Sequence, residues 1–288
     1  MPSSPIFRKI RAAWEALRLG RGPTVEDLLA RLSHADARGR WEAAEALAPY
    51  TGEERVTEAL FDALGDPHPF VRWQAGESLT RHKDEQTLAL LEAALSSKNS
   101  RRRSAAADAL GKLGDKRVVS ALCKALGSSN VEVRCSAAEA LARLADPATL
   151  PTLRKALGDS DAHVRRAIIN VLGAIGSPEA VPVLLPMLED TSALVRASAA
   201  DALGKIADPR AIDPLQQALN DPDPGVRWYA VHALGAVGDA ETLPLLSPLL
   251  TDETEVFGVS IAEAARNAMQ SIERRQRNQG RAHRLRLL

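Results

Sequence analysis

The sequence predicts an all-α fold, an α-solenoid or superhelix of about eight helix pairs, on three observations: a short string that returns every 31 residues, a core composition of Ala and Leu, and capping residues at fixed places in each repeat. Of the 288 residues 45% are hydrophobic but only 3% are aromatic, so small and straight-chain side chains must fill the interior. Close-set helices accept such residues, whereas strands favour the β-branched and aromatic types.

The returning string is Val71-Arg72, Arg102-Arg103, Val133-Arg134, Val164-Arg165, Val195-Arg196 and Val226-Arg227, in which the arginines step by 31. Gly39-Arg40 is an earlier degenerate copy, and Ile261-Ala262 a later one that has lost its arginine. Eight copies therefore run from about residue 24 to 272. Apolar residues follow the Val at helical spacing, as in Val195, Ala199, Ala202, Leu203 and Ile206.

Three residues before the Val position stands a capping residue in most copies: Asp36, Asn99, Asn130, Asp161, Ser192 and Asp223. Pro69 and Pro224 occupy the first helical position, and only His68 breaks the capping rule. Gly114, Gly176 and Gly238 stand at helix ends, where a left-handed residue often stops a helix. Asp84, Asp115, Asp146, Ser177, Asp208 or Asp239 then caps a second helix, with Pro147, Pro178 and Pro209 at its first position. Val181, Leu184, Leu185 and Leu188 mark the buried stripe of such a helix. A 31-residue helix pair buries little alone, so neighbouring pairs must stack.

Three segments follow. Residues 23–272 form the solenoid, 1–22 a basic N-terminal segment and 273–288 a basic C-terminal tail expected to be flexible. In the first segment Phe7, Ile10, Trp14 and Leu17 share a helical face, with Arg8, Lys9, Arg11 and Arg18 elsewhere. That pattern suits a helix capping the first repeat, with a basic amphipathic helix on an anionic membrane as the competing reading. The tail sets Arg274, Arg275, Arg277, Arg281, Arg284 and Arg286 against one acid, which suits a solubilising extension or contact with lipid head groups, RNA or an acidic partner.

The run Asp221-Pro222-Asp223-Pro224-Gly225-Val226-Arg227, followed by Ala230, Ala233-Leu234-Gly235 and Gly238-Asp239, resembles the HEAT repeat in the short form named after phycobilin lyase subunits. The resemblance covers about 250 residues. It implies that the Val-Arg helices line a concave face and that Arg72, Arg103, Arg134, Arg165, Arg196 and Arg227 form a structural ladder. Their partners would be the aspartates of the preceding turns, at the positions of Asp66, Asp159, Asp190 and Asp221.

On that implied geometry the second, third and sixth positions after the Val are exposed. The second holds Trp41, Trp73 and Trp228, with Tyr229 beside the last; the sixth holds Glu45, Glu77, Asp108, Glu139 and Asp201. The rings either cover neighbouring helices or anchor a partner, since interface hot spots are rich in Trp and Tyr. The acids either neutralise the bases four residues on, such as Arg81, Lys112, Arg143 and Lys205, or select basic groups of a partner.

Little points to catalysis. Deoxyhypusine hydroxylase, an enzyme with this repeat, places His-Glu pairs at the second and third positions to hold iron; here those positions read Trp-Glu, Trp-Gln, Ser-Ala, Cys-Ser, Arg-Ala, Ala-Ser and Trp-Tyr. The six histidines are scattered, so no metal site and no cofactor is expected. Residues 1–22 carry +4 and 273–288 carry +5 of a zero total, leaving the solenoid at −9, which disfavours duplex DNA. No run of eighteen apolar residues offers a transmembrane segment, though either basic end suits peripheral membrane contact. Two cysteines make no disulfide framework, and a cytoplasmic location is expected.

The function that results is a non-catalytic scaffold or adaptor holding a protein or peptide partner in the concave groove. The alternative is a lyase or chaperone subunit acting on a tetrapyrrole-bearing, phycobiliprotein-like protein, with Cys135 as a transient thioether donor.

Overall fold

The computed structural model describes residues 23–81 and 84–286, with side chains as far as residue 278. The expected N-terminal capping helix within 1–22 lies outside the described residues. The chain divides into two compact units, Met1–Leu113 and Gly114–Leu288.

Within the first unit helices pair in order: α1 (Val25–His34) with α2 (Ala37–Leu47), α3 (Glu54–Ala63) with α4 (Pro69–Leu79), and α5 (Glu85–Ala94) with α6 (Ser100–Leu113). The second unit repeats the scheme. It pairs α7 (Val119–Ala125) with α8 (Val131–Leu144), α9 (Leu150–Ala156) with α10 (Ala162–Ile175), α11 (Val181–Leu184) with α12 (Ala193–Ile206) and α13 (Ile212–Ala218) with α14 (Pro224–Val237). Then come α15 (Leu243–Leu246), a hairpin of β1 (Glu255–Val256) and β2 (Val259–Ser260), and α16 (Ile261–Arg286). The architecture is an all-α solenoid of helix pairs.

The 31-residue string sets this packing. Each Val of the string is the third residue of its helix and is fully buried at Val71, Val133, Val164, Val195 and Val226. The Ala-Leu-Gly triplet then lets successive Val-Arg helices touch. A Cβ on Gly204 would stand 2.8 Å from Ala233 Cα, and one on Gly235 3.0 Å from Ala268 Cα. Only a residue with no side chain permits that approach, and it explains why alanine and glycine replace aromatics in the core.

Capping follows the sequence closely. Asp36, Asn130, Asp161 and Asp223 accept backbone N–H groups of their helices, and Asn99 accepts from Arg101 and Arg102. Ser192 does not: its hydroxyl makes no cap bond, while its N–H donates to Asp190 Oδ1 at 2.8 Å. His68 makes no side-chain cap, as its side chain suggested. At helix ends Gly114 and Gly176 are left-handed, and so are Ala145 and Ala207, which sequence alone did not single out. Gly238 is extended instead, with φ −66°; its missing side chain is needed for room, because a Cβ would stand 2.6 Å from Leu234 O.

The second helices of the later unit are less regular than expected. From α7 onward each begins with a 3-10 turn capped by Asp115, Asp146, Ser177, Asp208 or Asp239. The stripe Val181 to Leu188 is α-helical only to Leu184 and then 3-10, since Pro186 has no N–H for the carbonyl of Pro182. Pro248 breaks α15 in the same way.

The boundary expected at residue 272 is not a break. Helix α16 runs through it for 26 residues, and Arg275, read as part of a flexible tail, donates to Gly235 O at 2.6 Å and Gly238 O at 2.8 Å. The guanidinium thereby satisfies carbonyls at the end of α14 that the helix itself leaves open.

Candidate functional site

The arginine of each string lies with its guanidinium in the turns rather than on an open face. In the second unit Arg134, Arg165 and Arg196 grip Asp159, Asp190 and Asp221 with two parallel bonds, Nε to Oδ2 at 2.7–2.8 Å and Nη2 to Oδ1 at 2.8–2.9 Å. Nη1 of each donates backwards to a carbonyl, of Ser128, Asp159 and Asp190 in turn, at 2.8–2.9 Å. The resemblance implied aspartates of the preceding turn as partners; the preceding turn supplies the carbonyl, and the carboxylate comes from the turn 25 residues ahead.

Two further rungs carry a carboxylate: one from Arg40, which the sequence reading left out of the ladder, and one from Arg227, which it included without naming Asp252 as the partner. Arg40 closes on Asp66 in the first unit at 2.7 and 3.0 Å, and Arg227 reaches Asp252 at 3.4 Å in the second. Arg72 and Arg103 donate to the carbonyls of Asp66 and Pro67 and of Ser97 and Lys98. Ahead of them by 25 residues stand Ser97 and Ser128, without a carboxylate. The Arg165 guanidinium holds the Asp190 carboxyl below its ordinary value against the opposing effect of burial. Arg134, Arg165 and Arg196 are thus held on both sides by the protein itself and offer little to a ligand.

The face beside the ladder is narrower than expected. The third position is buried at Gln74, Ala105, Ser136 and Ala167, as is Ser104 at the second. Gln74 Nε2 donates to Ser78 Oγ, whose own proton goes to Ala44 O at 2.9 Å, so this row packs against the neighbouring Val-Arg helix. What remains open is the row of tryptophans and the sixth position.

In the first unit Trp73 is 51% exposed, and Lys112 Nζ lies 5.1 Å from its ring centroid while pairing with Glu77. Glu77 thus pairs with a base of the next Val-Arg helix, where spacing had offered Arg81 of its own. Trp41 and Glu45 are half-buried, and burial pushes the Glu45 carboxyl up, opposed by Arg81 and aided by Glu42. Asp108 is half-buried in α6. In the second unit Glu139 is exposed and Asp201 bonds Lys205 at 2.7 Å, the helix-internal pairing that spacing predicts.

The densest ring cluster lies at the last copy. Trp228 meets Tyr229 edge-on at 5.0 Å and His232 at 4.1 Å. Phe257 stands edge-on to both Trp228, at 5.7 Å, and Tyr229, at 6.3 Å. Burial lowers the His232 pKa, with Asp201 opposing it, and Trp228 Nε1 is buried with no acceptor among the described residues.

Phe257 was missed because it belongs to an insertion, not to the repeat. Asp221 stands six residues before Arg227, whereas Asp252 stands ten before Ala262, the matching position. The close contact of Gly235 with Ala268, where Gly204 meets Ala233, places the same four extra residues. They form the hairpin, whose base is closed by Ile261 N–H to Thr254 O and Ala262 N–H to Asp252 O. Both tip residues are left-handed, Phe257 at φ 55° and Gly258 at φ 79°, as a type I′ turn requires. For a phenylalanine this costs about 1–2 kcal/mol, and the ring is still 78% exposed.

Both cysteines are free and half-buried, and burial pushes their thiols up. Among the described residues no group of three His, Cys, Asp or Glu side chains is placed to hold a metal ion, and no helix is long and apolar enough to cross a membrane.

The pattern of HEAT repeats matches residues 25–111, 74–133, 119–203 and 181–266. No curated protein matches the chain in sequence. Among solved structures, YibA of E. coli is 18% identical with a TM-score of 0.66, over 95% of this chain and 98% of that one. An archaeal HEAT-like repeats protein from Thermococcus onnurineus is 14% identical with a TM-score of 0.53, over 75% and 97%. The complex of CpcE and CpcF of phycocyanin lyase from Nostoc is 27% identical over 86% and 94%, but its TM-score of 0.40 is too low to carry an argument. With the repeat pattern extending over nearly the whole described chain and the helix pairs arranged as it requires, this chain belongs to the HEAT-repeat family.

Proposed function

We propose that the chain is a non-catalytic interaction scaffold whose Val-Arg helices present a binding face for a partner protein or peptide. Trp41 and Trp73 are the apolar anchors of the first unit, Trp228 and Tyr229 those of the second. Glu45, Glu77, Asp108, Glu139 and Asp201 select basic groups. The observation that carries this reading is the presence of large rings at exposed or half-buried positions of a protein with almost no aromatics. Trp73 is half exposed and Trp228 belongs to a four-ring cluster, while the core is packed from alanine, leucine and valine. HEAT solenoids commonly bind other proteins along such extended surfaces.

Lyase chemistry finds less support. A Cys135 thiol pushed up by burial is a poorer source of thiolate, the nucleophile that thioether transfer needs. Free cysteines suit a reducing compartment such as the cytoplasm.

The test is affinity capture from native lysate with the wild type and with a Trp41→Ala, Trp73→Ala, Trp228→Ala variant of matching circular dichroism. A stoichiometric protein bound directly by the purified wild type and lost in the variant supports the scaffold. Equal capture by both forms overturns it.

A further inference from the structure

The hairpin of the last copy breaks the repeat to put one ring on display. Four inserted residues, a strained backbone at Phe257 and a mostly exposed side chain are together unfavourable for folding. Strain of this kind persists where a binding surface uses it. Asparagine at 257 would make the Asn-Gly pair that type I′ turns prefer, so a phenylalanine there is not explained by the turn.

The surroundings of the ring are acidic. Glu253 and Glu255 lie exposed on the arm that leads to Phe257, and Asp201 acts electrostatically on His232, which lies 4.1 Å from Trp228. From Asp252 to Glu263 the chain has four acids and no base; Arg227 takes Asp252 and Lys205 takes Asp201, which leaves Glu253 and Glu255 as the exposed charges of the arm. An exposed aromatic face on an arm that carries Glu253 and Glu255 attracts a flat, weakly hydrated cation. A guanidinium stacks on aromatic faces and meets carboxylates at once, which a strongly hydrated ammonium does less well. The rings stand only 5.0–6.3 Å apart, so they form a platform to be covered rather than an empty cage.

We propose that the Phe257 hairpin with Trp228 and Tyr229 is a docking point for an arginine side chain in a basic segment of a partner protein. The proposal rests on the scaffold reading and adds to it the class of residue that the second unit receives. Phe257 supplies an exposed face, Trp228 and Tyr229 hold it from behind, and Glu253 and Glu255 supply the charge.

The test uses the full chain and three capped peptides, (Gly-Arg)4, (Gly-Lys)4 and (Gly-Glu)4. Binding is followed through the indole N–H signal of Trp228, assigned by its loss in Trp228→Phe. The arginine peptide should shift that signal, the lysine peptide should bind several-fold more weakly and the glutamate peptide not at all. Phe257→Asn should keep or raise the melting temperature and weaken the arginine peptide at least tenfold. Glu253→Gln with Glu255→Gln, which alters only exposed charges, should weaken it about threefold and flatten its salt dependence. No shift at Trp228, lysine binding as tight as arginine, or full affinity in Phe257→Asn would each overturn the proposal. The two readings fail separately, because partner capture through Trp41 and Trp73 in the first unit does not require Phe257.

Discussion

Asp190 shows how much one side chain can join. Its carboxylate takes two bonds from Arg165 and one from Ser192 N–H, and its carbonyl accepts from Arg196. Asp190→Ala should therefore cost about 2–3 kcal/mol, the range for charge-assisted bonds, measurable as a lowered denaturant midpoint. The same residue gives a pH dependence. With its folded pKa below the ordinary value of 3.8, it stabilises fully above that pH, and the contribution is lost as the pH falls through the folded value. Asp190→Asn should flatten the acid limb of the stability profile and leave its shape at neutral pH alone. Gly204 is the apolar counterpart: Gly204→Val drives a side chain into Ala233 and should cost about 1–3 kcal/mol from overpacking, read from thermal melts. Both roles were half legible. The 31-residue step named the arginines but not Gly204, and the carboxylate partner is 25 residues away in sequence, a distance that only the turn geometry selects.

Elements differ in how far their sequence announced them. The Val-Arg helices were legible to within a residue or two because cap, apolar spacing and stop are all local. The second helices were legible as helices but not as 3-10 segments, since proline at a helix start reads the same whether the next turn is wide or tight. Helix α16 misled the reading more seriously. Its residues from Glu273 onward are arginine-rich, and composition alone suggested a loose extension, yet Arg275 reaches two carbonyls at the end of α14. Arg275→Ala should raise amide hydrogen exchange in the last turn of α14 at least several-fold, and Arg274→Ala, whose side chain is exposed, should not. The hairpin was invisible for the opposite reason: four extra residues look like loose alignment until Gly235 is seen against Ala268.

At the scale of the molecule the repeat rules the energetics, because each copy is stabilised chiefly by its neighbours. The fold class and family were legible from the sequence, whereas the site was legible only where it obeys the repeat. Trp41, Trp73, Trp228 and the acids of the sixth position became candidates by counting; Phe257 did not, and the burial of the third row, which depends on how closely the helices approach, was not foreseen. The second unit should accordingly respond to Arg165→Ala with lost exchange protection graded outward from α10, while the first unit keeps its own.

The ladder has a consequence for how such a chain can change in length. Every bond of the rung from Arg165 is fixed by an offset, five and six residues back to carbonyls and 25 forward to a carboxylate. Removing residues 160–190 as a block would set Asp159 six residues before the arginine now called Arg196, and Arg134 would keep Asp159. The spliced protein inherits an unbroken series of partners on either side of the cut. A gene encoding this array can therefore gain or shed whole copies without inventing a new junction, and span becomes a property that selection can adjust in units of one repeat.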